Sequence, residues 1–370
     1  MQAVDSFLFL WLSRILVAIL AALAFPLARL SKPRTPVPRQ VPHLMIGAGN
    51  KGWELIEYQE IFTSASEYLG ASNVSRLAFG GERPMLMQFH KALREVRPSH
   101  YYFDPRSGSQ RPLEAAWETL VVGFLLARYR VTPICQLTDF AVRRWRLQVA
   151  AVSARSGVVT SLMSPVVIGG LFPHKRIVGP MPFPLSVATL QRLRKLKQRN
   201  TPKWRGLQDK AVFVGMLHEP RKAVVEAIQQ GLANRGIPME IIGRMPDGAR
   251  ISDDDYWEIL VNARLVVSTS SQMATNGRES IDQNHFIYRF IEATAAGTAL
   301  AIGPVAGAEH LFRPDVHYIA YSSAEEAIAK IVSKWKSPSS LDLLAQKGRL
   351  RATTIIDGAV FWRTVLPENG

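Results

Sequence analysis

The sequence predicts an α/β protein built from two parallel-sheet domains, and three observations predict it. Short apolar runs alternate with stretches of helical length along most of the chain, the pattern of strands covered on both faces by helices. The alternation falls into two blocks, separated by a basic stretch with no intervening acid: Arg192, Arg194, Lys195, Lys197, Arg199, Lys203 and Arg205. Several of the predicted strands run straight into a glycine, as at Gly47, Gly215, Gly243 and Gly303. At 370 residues with 47% apolar content the chain is long enough for two packed domains of ordinary size.

Taken in order, residues 1–42 form a membrane-associated helix and a proline-rich connector. Phe7 to Leu30 is apolar over roughly the 20 residues that cross a bilayer, but Arg14 and Pro26 interrupt it, so it either spans or lies along the surface. Asp5 is the only charged side chain before Arg14, which is not the basic start of a cleaved signal peptide. Arg29, Lys32, Arg34 and Arg39 crowd the far side, which places the globular part in the cytoplasm, on a bacterial inner membrane.

Residues 43–185 then read as the first domain. His43 to Ile46, His100 to Phe103, Val131 to Leu137 and Val158 to Met163 are its predicted strands. Trp53 to Tyr68, Leu113 to Tyr129 and Ala141 to Ala154 are its predicted helices. Residues 186–210 form a basic linker, with a helix over Val187 to Gln198 leading into it and Trp204 able to sit at the headgroup level of a membrane. The second domain, residues 211–350, repeats the alternation. Strand Ala211 to Val214 precedes helix Arg221 to Asn234, and strand Pro238 to Ile242 precedes helix Asp254 to Ala263. Strands Leu265 to Ser268 and Ala299 to Ile302 and the helix Ser322 to Ile331 follow, and residues 351–370 are a tail or final helix. Asp253 to Asp255 read as helix-capping acids.

Composition narrows the partners. A net charge of +15 and a sequence pI near 10.1 point to something anionic: a nucleoside diphosphate, an acidic lipid or a nucleic acid. The single cysteine, Cys135, excludes an internal disulfide framework and sits in an apolar run as a small core residue. No histidine and cysteine cluster has zinc-ligand spacing.

The segment from Phe286 to Leu311, FIYRFIEATAAGTALAIGPVAGAEHL, carries a polar helix with Glu292 ending at Gly297, a short strand, and a loop from Gly303 to Gly307 that precedes Glu309. It resembles the nucleotide-sugar site of group 1 glycosyltransferases. That resemblance implies the GT-B fold, two Rossmann-like domains facing a cleft. It implies that Glu292 accepts hydrogen bonds from the nucleotide ribose, and that Gly303, Gly307 and Glu309 lie beside the donor's sugar and phosphates. A carboxylate can accept two hydroxyl donors at once, as a ribose diol offers, and glycines let backbone amides approach phosphate oxygens. Many relatives carry a second glutamate eight positions before the first. Here that position is Asn284, which can hydrogen-bond a hydroxyl but brings no charge.

Arg221 and Lys222 stand where the first helix of the second domain begins, and relatives often place a basic residue there against the donor diphosphate; a helix N-terminus adds its own partial positive charge. Arg244 follows the next strand, at a sheet end where open α/β sheets bind ligands. In the first domain Gly47, Gly49 and Gly52 form GxGxxG between a strand and a helix, read either as an acceptor-side loop facing the cleft or as a tight turn. The candidate catalytic base is Asp139, which follows an apolar strand and equally suits an N-cap, with Asp104 as the second choice.

The resemblance therefore implies a metal-independent hexosyltransferase-like enzyme that needs no cofactor, takes a nucleotide sugar as donor and passes the sugar to an envelope glycan or lipid-linked acceptor. Two other readings stand beside it. One is a non-catalytic membrane-associated scaffold of the same fold, motivated by Asn284. The other is a basic nucleic-acid-binding protein, motivated by charge alone.

Overall fold

Every strand pairing in the computed structural model is parallel, over the residues that it describes: 41–49, 55–79, 85–103, 112–137, 157–160, 177–179, 181–199, 202–215, 217, 219, 221–243, 251–269, 288–305 and 308–366. The chain divides into two compact units, one of residues 182–357 and one of residues 1–181 with 358–370.

In the first unit β1 (Leu44–Gly49), β2 (Val74–Phe79), β3 (His100–Phe103), β4 (Thr132–Leu137), β5 (Gly157–Thr160) and β6 (Ile177–Val178) form a sheet of order β2-β1-β3-β4-β5-β6. Helices α1 (Ile56–Leu69), α2 (Met85–Val96) and α3 (Pro112–Tyr129) connect them. Strand periodicity divides the core. Met45 and Tyr101 face a cluster with Phe89, Leu93, Leu126 and Tyr129. Cys135 is fully buried, as its apolar setting predicts.

The second unit begins earlier than the sequence suggests. Helix α4 (Val187–Arg199) and a 3-10 turn (Pro202–Leu207) belong to it and are not a linker. The physical reason is packing, since Leu193 and Leu207 are buried, with ion pairs at the surface beside them. Helix α5 (Arg221–Ala233) follows β7 (Ala211–Val214), β8 (Met239–Ile242) comes next, and then α6 (Asp253–Asn262), whose first turn carries three aspartates. Arg192 pairs with Asp254, Lys203 pairs with Asp255, and the Trp204 indole N–H donates to Asp255 at 3.1 Å. Trp204 therefore lies against the start of α6 and not outward toward a headgroup layer. Ser252 is the N-cap itself, accepting from the Asp255 amide at 3.1 Å.

Strand β9 (Leu265–Ser268), α7 (Arg289–Ala295), β10 (Ala299–Ile302), β11 (Ile319–Ala320), α8 (Ala324–Trp335) and α9 (Pro338–Ile355) complete the unit, with sheet order β11-β10-β9-β7-β8. Strands β7, β9 and β10 are buried throughout, as expected of a parallel sheet covered on both faces. Ala211, Phe213, Val225, Ile228, Leu232, Ile331 and Leu344 fill one side. The buried Trp257, Leu260, Phe290 and Ile291 come from α6 and α7. Gly348 on α9 allows a close approach: a Cβ there would meet the His317 carbonyl oxygen at 2.7 Å.

Residues 351–370, expected as a tail or a final helix, include a helix. Helix α10 (Gly358–Val365) belongs to the first unit, where the buried Trp362 donates from its indole N–H to Ser64 Oγ at 3.0 Å and meets Tyr102 edge to face at 5.5 Å. Among the described residues no helix is long and apolar enough to cross a membrane. The apolar segment 7–30 lies outside the described residues.

Candidate functional site

Sheet order locates the site. In the second unit β7 is followed by β8 on one side and the chain then returns to β9 on the other, so connections from the C-terminal ends of β7 and β9 diverge. Open α/β sheets bind ligands at such a switch point. Gly215 stands directly after β7 with φ +138°, a conformation that suits glycine, and its amide donates to the Ile242 carbonyl at 3.0 Å. Directly after β9 stands Thr269, only 2% exposed, whose Oγ1 has no hydrogen-bond partner among the described residues. Gly303, after β10, is buried with its amide 3.4 Å from the Ser268 carbonyl. The Tyr321 hydroxyl donates to that same carbonyl.

Glu292 lies at the centre of a polar cluster here. It is 6% exposed, on a helix whose residues Phe290–Ala295 are all buried. The Tyr256 hydroxyl donates to Glu292 Oε2 at 2.5 Å, and Arg289 Nε lies 3.5 Å from the same oxygen. The Arg289 guanidinium also covers the Tyr256 ring, 5.0 Å from its centroid. Its Nη2 lies 3.8 Å from where a Cβ on Gly215 would stand, so it reaches the turn after β7. Burial pushes the Arg221 guanidinium down from its ordinary value, and the Arg289 charge pushes it the same way. Two partly buried guanidinium groups thus repel each other, and one of them, Arg289, pairs with the Glu292 carboxylate. That excess of positive charge in a poorly solvated place suits an anion with more than one negative charge.

The sequence candidates divide accordingly. Glu292, Arg221 and Gly303 sit at this edge of the sheet. Lys222 does not join the cluster: it is exposed and pairs with Glu226 at 3.8 Å along its own helix. Glu309 is exposed on a short 3-10 turn (Ala308–His310) and acts on Tyr318, whose hydroxyl burial pushes up to about 12 with help from Glu309 and Asp315. Arg244, Asn284 and Gly307 lie outside the described residues. In the first unit Gly47 and Gly49 are within β1 and not in a loop. The reason for Gly47 is packing, since a Cβ there would meet the Tyr101 ring and hydroxyl, the hydroxyl at 2.2 Å. Gly52, Asp104 and Asp139 lie outside the described residues; Asp104 directly follows β3, which is paired with β1 at that sheet's own switch point.

Sequence reasoning missed Tyr256 and Arg289. Arg289 leaves a weak trace, standing three positions before Glu292 and so on the same helix face. Tyr256 leaves none, because only the packing of α6 on α7 brings it across 36 positions.

Comparison with known proteins fits this arrangement. Residues 221–355 match the model of a family described as glycosyl transferase-like. The C-terminal part of the chain is thus similar to that family. All of the cluster except Gly215 falls within the matched segment. Over most of its length the chain also resembles solved structures of the GT-B fold. HepE of Anabaena, solved in complex with UDP and glucose, is 12% identical with a TM-score of 0.51, covering 86% of this chain and 96% of its own. Sucrose-phosphate synthase from Thermosynechococcus elongatus is 13% identical with a TM-score of 0.52, covering 87% and 96%. OtsA, solved without ligand, is 7% identical with a TM-score of 0.56, covering 89% and 100%. At these identities the likeness is one of fold. No relative of curated function matches the sequence. The two parallel-sheet domains and the resemblance to group 1 glycosyltransferases therefore stand, and the fold by itself does not choose the reaction.

Proposed function

We propose that this glycosyl transferase-like protein moves a sugar from a nucleotide-sugar donor to an acceptor, with the donor held at the β7/β9 switch point. The observation that carries the reading is the buried Glu292 carboxylate paired with Arg289, whose guanidinium reaches the Gly215 turn and whose charge acts on Arg221. Glu292 accepts from the ribose hydroxyls. Arg221 and Arg289 take the diphosphate, and Thr269 Oγ1 offers a further polar contact. When the bond from the anomeric carbon to the diphosphate oxygen breaks, negative charge grows on that oxygen. Fixed cations in a poorly solvated site stabilise it without reorganising. In this reading no divalent ion takes that role, so a chelator leaves turnover unchanged. HepE, solved with UDP, supports uridine among the nucleotides to be tried first.

The base that activates the acceptor comes from the first unit, with Asp139 and Asp104 as candidates. The acceptor is an envelope glycan or a lipid-linked saccharide, met by an enzyme whose apolar residues 7–30 keep it at a membrane with its globular part in the cytoplasm. Transfer of labelled sugar from a panel of nucleotide sugars to bacterial membrane extract tests this. Glu292→Ala in the folded protein is expected to lower turnover by at least about tenfold, the equivalent of one or two hydrogen bonds to a charged group. Unchanged turnover would remove the donor assignment.

A further inference from the structure

Glu292 and Arg289 do not hold their positions unaided. Tyr256, half-buried on α6, touches both: its hydroxyl reaches Glu292 Oε2 at 2.5 Å and its ring lies under the Arg289 guanidinium at 5.0 Å. Its own ring is fixed by the neighbouring Trp257, 5.6 Å away edge to face and almost fully buried. We propose that Tyr256 is a positioning residue that couples the two ends of nucleotide recognition, its hydroxyl orienting the Glu292 carboxylate for the ribose diol and its ring seating Arg289 for the diphosphate. This rests on the reading of Glu292 as the ribose ligand.

The geometry gives the reason. A glutamate carboxylate turns readily about its last torsion, so a ligand that needs its oxygens in one plane must pay for stopping that rotation. The Tyr256 hydroxyl and Arg289 Nε converge on a single oxygen, Oε2, from two different helices, and this sets the plane before any ligand arrives. A guanidinium over an aromatic face is likewise attracted to the ring and held there. Arg289 edges toward the Gly215 turn and the Arg221 charge, where a diphosphate would relieve the repulsion between the two cations. Tyr256 is thus the common support of a sugar-reading group and a phosphate-reading group.

The test is calorimetric binding of UDP, GDP, ADP and CDP, each against its 2′-deoxy counterpart, to the full-length protein. For whichever base binds, wild type is expected to favour the ribonucleotide by about tenfold, the size of one hydrogen bond to a charged acceptor. Tyr256→Phe keeps the ring and its packing. It is expected to bind the deoxynucleotide within about twofold of wild type and to lose the preference for ribose. Tyr256→Leu, which removes the ring as well, is expected to weaken the deoxynucleotide itself by about threefold or more. A Tyr256→Phe protein that keeps the ribose preference, or loses both ligands in equal measure, overturns the positioning role while leaving the donor site standing. Wild-type protein that binds every base without preferring ribose, or binds none, overturns the assignment of Glu292 and this inference with it.

Discussion

His100 shows how a single buried side chain carries a measurable consequence. It is 4% exposed at the start of β3, with Nδ1 3.0 Å from Ser99 Oγ, while its neighbour His43 meets Ser75 Oγ at 3.2 Å through Nε2. Burial lowers the His100 imidazole to about 4. Between about 4 and 6.5 the unfolded chain therefore binds a proton that the folded chain refuses, so stability is full above pH 6.5 and falls as the pH drops through that window. The loss amounts to about 3 kcal/mol. Urea unfolding of the first unit at pH 7 and pH 4.5 is expected to show it, and His100→Gln is expected to flatten the dependence. Residue-scale features of this kind were poorly legible in the sequence. Glu292 could be picked out because it stands in a motif, whereas Tyr256 depends on a contact between two helices that no local spacing encodes. Gly47 misled for the opposite reason: its motif suggests a ligand, and its neighbour Tyr101 supplies a complete packing explanation.

Among elements, those buried on both faces were the most legible. Strands β7, β9 and β10 stand where short apolar runs bounded by glycine or polar residues place them, because continuous burial writes itself as continuous apolarity. Strand β2 and helix α2 were not foreseen. Ser75 and Arg76 interrupt β2, and its Arg76 is accommodated by lying 4.2 Å over the Phe62 ring, a contact invisible in one dimension. Helix α9 was also missed over most of its length. Its Gly348 weakens the helical pattern, yet the helix needs it to approach the His317 carbonyl. Gly348→Ala is accordingly expected to destabilise the second unit by about 1–3 kcal/mol despite alanine's better helix propensity, read as a lower urea midpoint with the slope unchanged. A stabilised variant would show that the contact yields without strain.

For the whole molecule, the two-domain parallel architecture was legible because it rests on alternation alone, while the boundaries were not. Charge made residues 186–210 look like a solvated linker, whereas Leu193 and Leu207 are buried in the second unit and Arg192 and Lys203 pair at its surface with the acidic start of α6. Residues 351–370, read as a tail or a helix, were not assigned to the first unit because the partners of Trp362, Ser64 and Tyr102, lie about 300 and 260 residues earlier. In the proposed function the second unit binds a nucleoside diphosphate through Glu292, Arg289 and Arg221. The most direct measurement is thermal unfolding of the full-length protein with UDP, GDP, ADP and CDP, alongside Glu292→Ala. A ligand held at a hundredfold excess over its Kd adds about 2.7 kcal/mol, which for a unit of this size raises Tm by about 5 °C or more. Such a rise is expected with one base above the others and is expected to be lost in Glu292→Ala; no rise with any of the four, or an equal rise in the variant, would overturn binding through Glu292.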